Sequence, residues 1–333
     1  MTVTVTDTTA LAAEYATLTE HCGVVDRSDR GKLALAGSGA VEFLNGQITN
    51  ELLGLGPGEG CYAAFLTHKG KMLGDLRVLA AGEEPGATPT ELLLDTERSA
   101  LQALFDMIRR FKVGYDVQLH KRTLECSLLS LIGPDADALA RQTFAVEEGR
   151  LATREHSHLL AQLGQTSVRL IRTDVGIDAL FEAEALESMR GALEAAGAVS
   201  VSDAAAEIVR VESGRPRYGI DLDESTIPQE ADLNERAVSF TKGCYVGQET
   251  VARLYYRGKP NRHLRGLRLS EPIEPGAALA LGERPVGSLS SSVLSPRFGP
   301  IGLALVRREA EPGATVSVGA QGAEAVVVDL PFR

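Results

Sequence analysis

Past residue 261 the chain shows no helical period. Six apolar runs of four to six residues, Leu264–Leu269, Ala277–Leu281, Val286–Leu289, Ile301–Val306, Thr315–Val318 and Ala325–Leu330, alternate with turns rich in glycine and proline. Runs of that length at regular turn spacing predict a small all-β barrel or sandwich of about six strands. Such a unit closes on itself and leaves the rest of the chain to build its own core. The expected division is therefore a region 1–258 and a C-terminal barrel domain 259–333, joined near Gly258–Arg262. A length of 333 residues has room for both.

The first region mixes helix and strand patterns. Leu11–Glu20 reads as a helix and Lys32–Ala36 as a strand; Ser38 reads as the cap of a helix carrying Val41, Leu44, Ile48 and Leu52 at helical spacing. The run Gly54–Gly60 breaks the chain, and Tyr62–Leu66 and Met72–Leu79 read as a strand pair around the turn His68–Lys71. A loop is expected over Gly82–Pro89, a strand over Glu91–Asp95, a helix opened by Thr96, and a strand over Val113–Leu119. Further strands are expected at Ser127–Ile132, His158–Leu163 and Ser167–Arg172, with helices at Asp135–Gln142, Ala183–Ala196 and, after Ser202, Asp203–Glu212. Without a regular βαβ count this pattern predicts an α+β fold rather than a doubly wound sheet. Neither GxGxxG at a strand–helix joint nor a GxxxxGK[ST] loop is present, which removes the common nucleotide folds.

Composition narrows the classes further. Hydrophobic residues at 44% and charged residues at 24% are globular values, and 34 basic against 45 acidic residues leave a net charge of −11, unsuited to generic nucleic-acid coating. No window approaches the roughly 18 apolar residues of a membrane span, and the opening MTVTVTDTTALAAEY lacks a basic n-region and an apolar h-region, so the expected location is the cytoplasm. The four cysteines form no CxxC or Cys/His ladder, and the six histidines show no ligand spacing, so no metal site is expected. Cys22, Cys61 and Cys126 read as small buried thiols.

Cys244 differs. It lies in Lys242-Gly243-Cys244-Tyr245-Val246-Gly247-Gln248-Glu249, where two glycines bracket a thiol just before a helix over Gln248–Tyr256. A helix N-terminus and a neighbouring lysine both favour thiolate, so Cys244 with Lys242 is a candidate reactive pair. The alternative is a tight turn in which the cysteine is merely small. Arg253, Arg257, Lys259, Arg262, Arg265 and Arg268 follow within 16 residues free of Asp and Glu, interleaved with Tyr255 and Tyr256. That stretch offers a polyanion site for a polyglutamate tail, led by Arg253, Arg257 and Lys259, or for an RNA backbone; pairing with the protein's own acids is the alternative. The acidic balance and the lack of an RNA-fold motif argue against direct nucleic-acid binding.

The octapeptide resembles the signature of the YgfZ family of folate-binding proteins. Arg210–Pro216 and Ile227–Glu230 resemble the segments that precede it there. Tyr218–Leu222, Gly31–Lys32, Phe43–Asn50 and Gly70–Asp75 are similar to runs of the wider glycine-cleavage T-protein superfamily. The resemblance spans nearly the whole chain. It implies a T-protein-like α+β fold, two interleaved subdomains around a folate cavity plus the C-terminal β-barrel. It implies tetrahydrofolate or a one-carbon derivative as cofactor, and a role supporting iron–sulfur cluster proteins, including one that thiomethylates tRNA, as partners. Asp75, Asp178, Arg210, Glu212 and Tyr218 fall in its cofactor-binding segments. Cys244 with Lys242 would be the reactive group, framed by Gly243, Tyr245, Gly247, Gln248 and Glu249. The alternative is a tetrahydrofolate-dependent aminomethyltransferase. Against it stand Gly74 where such enzymes carry a carboxylate beside Asp75, and Ile177 where they carry a pterin-gripping Glu, with Asp178 the nearest acid.

Overall fold

Two β-sheets share the N-terminal region, and the chain crosses between them. In the computed structural model, which describes residues 5–82, 88–320 and 322–333, a helix over Val5–Glu20 leads into the strand Gly23–Asp26 of the first sheet. The chain then leaves to build a complete five-stranded sheet, in spatial order Gly60–Leu66, Met72–Ala81, Glu91–Thr96, Gly31–Ala36 and Gln118–Lys121, all antiparallel. It returns with Cys126–Ile132, which pairs with Gly23–Asp26 and with Gly176–Glu182; Thr166–Arg172 and His158–Leu163 complete that side. Val199–Ser200 adds the one parallel pairing of this sheet. Most of the loop expected over Gly82–Pro89 lies outside the described residues.

The strand Met72–Ala81 explains how charge reaches the interior. Nine of its ten residues are buried, as a central strand covered on both faces should be, yet it carries Asp75 and Arg77. Around it sits the larger core, with Phe43, Phe65, Leu76, Leu94, Leu104 and Ile108 each at most 2% exposed. The second core packs Leu129, Leu131, Leu170, Ile177 and Phe181 against Leu139, Met189 and Leu193 of two helices, Ala136–Thr143 and Leu186–Ala195.

The C-terminal part of the chain is a closed six-stranded barrel, in spatial order Arg262–Leu269, Gly299–Arg307, Arg284–Ser295, Ala278–Leu281, Thr315–Val318 and Ala323–Val328, with the last strand pairing back to the first. Leu267, Leu279, Val286, Leu289, Val306, Val316 and Val327 fill it. Closure leaves no edge strand exposed.

Several local expectations are corrected. Ser38 is not a cap; Gly39 is the N-cap residue, and Ser38 Oγ donates to Asp116 at 2.7 Å. The helix it was to open runs only Ala40–Asn45, because beyond it the chain turns its carbonyls toward Lys242. Ile48 and Leu52 are buried all the same, so apolar spacing reported burial there rather than helix. Thr96 ends a strand, its hydroxyl on the carbonyl of Asp75, and the helix starts at Leu101. Most of Val113–Leu119 is turn, held by Ser38 on Asp116, and the strand is Gln118–Lys121.

Candidate active site

Where the two sheets and the segment leading to the barrel meet, a cavity of about 240 Å³ opens, walled by seven arginines and six carboxylates. Strand register assembles it. Tyr62 and Ala64 lie opposite Arg77 and Asp75 on the next strand, and Arg77 lies opposite Asp95. Cross-strand partners and alternate residues share a face, so Tyr62, Asp75, Arg77 and Asp95 point the same way. From the other sheet, Ser130 and Asp178 are a directly opposed pair, Ser130 Oγ donating to Asp178 at 2.6 Å.

Arg77 clamps the two sheets. Nη2 lies 2.8 Å from Asp95 and Nη1 2.7 Å from Asp178. The charges alternate onward. Asp95 also takes Arg30 Nε at 2.7 Å, Arg30 pairs with Glu97, and Glu97 meets Arg217 at 3.1 Å. Arg217 shares Glu207 with Arg210, and Arg210 reaches Asp221 at 2.8 Å. Asp221 accepts from Ser290 and Ser291 on a barrel strand. Arg30 and its neighbour Arg77 hold Asp95 below its ordinary range against the opposing effect of burial.

Asp75 has no cationic partner in this chain of pairs. Among the described residues its carboxylate accepts only the Tyr62 hydroxyl, at 2.6 Å, and it is 5% exposed. Burial raises its pKa from 3.8 to about 6, opposed by Tyr62 and reinforced by Glu97. It is thus a carboxyl poised to exchange a proton near neutral pH. Beside it, His156 faces Tyr62 with ring centroids 6.4 Å apart, and the Arg236 guanidinium lies 5.1 Å from the Tyr62 ring. His156 sits at φ +70°, a backbone conformation costly for histidine, and burial lowers its pKa to about 3, so its ring is neutral.

Among the described residues, three buried nitrogens on these walls have no hydrogen-bond partner: Arg77 Nε, Arg236 Nε and His156 Nδ1. Buried polar atoms are ordinarily satisfied, so three around one cavity mark where a ligand's polar atoms belong. The cavity continues through Asp174, Arg215, Pro216 and Arg236 into an outer groove of about 520 Å³ against the barrel, which adds Arg265.

Of the residues singled out in the sequence, Asp75, Asp178 and Arg210 meet at this cavity. Asp178 and Arg210 are engaged by protein groups. Arg210 donates to Glu207, Asp221, Ser291 and the Arg215 carbonyl. Glu212 is not in the cavity. Two residues further along the helix Asp203–Glu212, its carboxylate takes Tyr15 at 3.0 Å and Ser295 at 2.5 Å, fastening the first helix and the barrel. Tyr218 is packed into the larger core. Cys244 is exposed and is not among the cavity walls. Lys242 does not charge it: Nζ is turned inward onto the carbonyls of Asn45, Ile48 and Asn50 at 2.7, 2.9 and 2.5 Å, and burial lowers its pKa to about 8. Tyr245 is buried with it, while Gln248 and Glu249 form the first turn of the helix Gln248–Arg257. Gly247, at φ +85°, is required; a Cβ there would lie 2.6 Å from the Thr67 carbonyl, whereas nothing crowds Gly243. Arg253, Arg257 and Lys259 are exposed and lie outside the groove. The bland alternative applies to two others in that basic run, Arg262 pairing with Glu230 at 2.8 Å and Arg265 with Asp329 at 3.9 Å.

The barrel of residues 262–333 matches the glycine cleavage T-protein C-terminal barrel domain, and residues 5–242 match the GCVT N-terminal domain. The chain belongs to the glycine cleavage T-protein family. An aminomethyltransferase of Rubrobacter xylanophilus is 28% identical over 329 residues, covering 97% of this chain and 86% of that protein. A chloroplastic protein of Arabidopsis thaliana, described as a transferase, is 27% identical over 314 residues, covering 93% of this chain and 71% of its own length. The crystal structure of glycine cleavage system aminomethyltransferase T from Bartonella henselae superposes with a TM-score of 0.85 at 23% identity, covering 97% of this chain and 89% of that one, which places the two in one fold. Within the T-protein family frame, sequence reasoning missed Tyr62, Arg77, Asp95, Arg30, Glu97, His156 and Arg236. The signal was present for some of them: Arg77 and Asp95 are charges inside apolar strand runs, where a solvated residue has no reason to be. No helix among the described residues is long and apolar enough to cross a membrane.

Proposed function

We propose that this member of the T-protein family binds tetrahydrofolate or a one-carbon derivative in the cavity around Asp75, and acts with it as an accessory protein of iron–sulfur enzymes, those modifying tRNA among them. The observation that carries folate binding is the trio of unpartnered nitrogens on Arg77, Arg236 and His156 beside a carboxyl of raised pKa. Donors and a proton-exchanging acid suit a flat heterocycle whose edge both donates and accepts. Tyr62, Asp75, Arg77, His156 and Arg236 would hold the bicyclic head, and Arg215 and Arg265 in the outer groove its anionic tail. The bound folate supplies one-carbon carriage. Asp75 holds or releases the proton nearest it.

The accessory role rests on the resemblance around Cys244 and on Gly74. A side chain at position 74 would begin 2.5 Å from the Phe65 ring and 2.6 Å from Ala100, so no second carboxylate fits beside Asp75. Aminomethyl transfer is the second reading, favoured by the relatives' names and by Asp95 and Glu97 near Asp75. Calorimetric titration with mono- and polyglutamylated tetrahydrofolate tests binding. Saturable binding weakened at least about tenfold in Arg236→Met is expected, as loss of a charged hydrogen bond predicts; absence of binding refutes the reading. Turnover of an aminomethylated carrier protein would refute the accessory role and establish the second. Failure of the gene's deletion to lower iron–sulfur enzyme activity in cells would also refute the accessory role.

A further inference from the structure

A second cavity, of about 170 Å³, lies between the same two sheets on the other side of Arg77. Arg77, Asp95 and Leu128 line both cavities, so the Arg77–Asp95 pair is the partition between them. Nothing in the proposed folate reading uses this space. Its walls are apolar: Leu79, Leu93 and Leu94 from one sheet, Leu128, Leu180 and Phe181 from the other.

Its cations are unequally partnered. Lys32, Arg77, Arg122 and Arg169 face Glu91, Asp95 and Glu182. Arg77 is paired with Asp95 and Asp178, and Arg122 with Glu125 at 2.9 Å and Glu182 at 3.4 Å, which leaves Lys32 and Arg169. Among the described residues, Lys32 Nζ donates only to the carbonyls of Ser28 and Arg30. Arg122 Nε is buried with no hydrogen bond among the described residues. Arg169 is the sharpest case. Among the described residues it has no carboxylate within pairing distance, and Glu91 acts on it only from further away. Nη1 donates instead to His158 Nδ1 at 2.9 Å. His158 Nε2 lies 3.2 Å from the Glu59 carbonyl, which fixes that nitrogen as the donor and Nδ1 as the acceptor. A neutral imidazole does not compensate a desolvated guanidinium, whose fork is built for a carboxylate.

We propose that this cavity binds a small amphipathic carboxylate, its apolar body among Leu79, Leu93, Leu128, Leu180 and Phe181 and its carboxylate on Arg169. A dry cavity of about 150 Å³ takes benzene, so the body is a chain or ring of about six to eight carbons. An amine of the same shape would meet Lys32 and Arg169, neither of which has a carboxylate within pairing distance among the described residues. Sharing the Arg77–Asp95 wall makes the site a neighbour of the folate cavity without being part of it.

The test is calorimetric titration of the full-length protein with hexanoate and with 1-hexanol, with and without saturating tetrahydrofolate. Saturable hexanoate binding is expected, with hexanol and the Arg169→Gln variant each weaker by at least about tenfold. Ser167 is an exposed residue at the rim, so Ser167→Trp should close the mouth and abolish binding while leaving the fold intact, even if Arg169→Gln proves unstable. Hexanoate binding should persist under saturating tetrahydrofolate. Lack of saturable binding, equal affinity for the alcohol, retention of binding in Ser167→Trp, or full displacement by tetrahydrofolate each overturns the proposal. Failure of tetrahydrofolate itself to bind leaves the hexanoate result standing on its own and refutes only the folate reading.

Discussion

Asp75→Asn should make the protein more stable at neutral pH. The carboxyl is 5% exposed and has one hydrogen-bond donor, Tyr62, and no cation of its own. Burial lifts its pKa from 3.8 to about 6. A folded-state pKa above the unfolded one favours the protonated form in the fold, so this group's contribution is fully present below about pH 4 and is lost as pH rises through 6. A rise of about 2 pH units corresponds to about 3 kcal/mol at pH 7 and above. Asparagine has no charge to desolvate, and its carbonyl still accepts from Tyr62. After allowance for the new amide protons, a gain of about 1–3 kcal/mol is expected. Urea unfolding of the wild type and variant at half-unit steps from pH 4.5 to 8 reads it directly. The difference should grow from about a third of its full size at pH 4.5 to a plateau above pH 6.5. A difference that does not change with pH, or a variant less stable than the wild type at pH 7.5, would refute the reasoning. The same substitution should abolish folate binding, the trade expected where a functional group is held against its own solvation.

Three other outcomes are expected. Arg77→Met strands Asp95 and Asp178 without their cross-sheet cation and should cost about 3–5 kcal/mol in urea unfolding, part of it recovered when Asp178→Leu is added. Burial lowers His156 to about 3 and His158 to about 4 from 6.5, so the stability from their neutral state is complete above pH 6.5 and lost as pH falls toward those values. His156→Asn, a residue that tolerates φ +70°, should flatten the acid limb of thermal unfolding between pH 6.5 and 4; an unchanged limb contradicts the assignment. Iodoacetamide at pH 7.5 should label Cys244, which is exposed, well before Cys22, Cys61 and Cys126, which are buried and, in all three cases through desolvation first, raised in pKa; peptide mass spectrometry checks the order.

The barrel was the most legible part of the fold because each strand is a short apolar run ended by a turn, a wholly local pattern. Helices were legible where one face is buried, as with Leu104 and Ile108, and misjudged where tertiary hydrogen bonds decide, as at Asn45. The strand Gly23–Asp26 has four residues, too few for alternation to register, and it pairs with residues more than 100 positions away. The site was legible at Asp75, Asp178 and Arg210 only through family resemblance. Local spacing could not place Glu212: two positions on a helix swing a side chain to another face, here toward the barrel rather than the cavity. Tyr62, His156 and Arg236 come together from three separated segments, which no pattern within a window can bring into register.

The octapeptide Lys242–Glu249 acts on the cavity from behind. Lys242 closes the loop 45–50 through three carbonyls, one of them that of Asn50. Asn50 Nδ2 in turn donates to the backbone carbonyls of Tyr62 at 2.8 Å and Arg236 at 3.3 Å, the two residues that face each other at the cavity wall. Tyr62 then holds Asp75. A buried ammonium is costly unless its donors are satisfied, and three carbonyls converging on one point satisfy them while fixing the loop to within hydrogen-bond tolerance. Arginine's planar fork could not serve three carbonyls spaced around a point in the same way. Lysine at position 242 is therefore explained by the geometry of Tyr62 and Asp75, its three donors spent on carbonyls, and the motif divides: Lys242 and Tyr245 face the core, while Gly243, Cys244 and Glu249 are exposed.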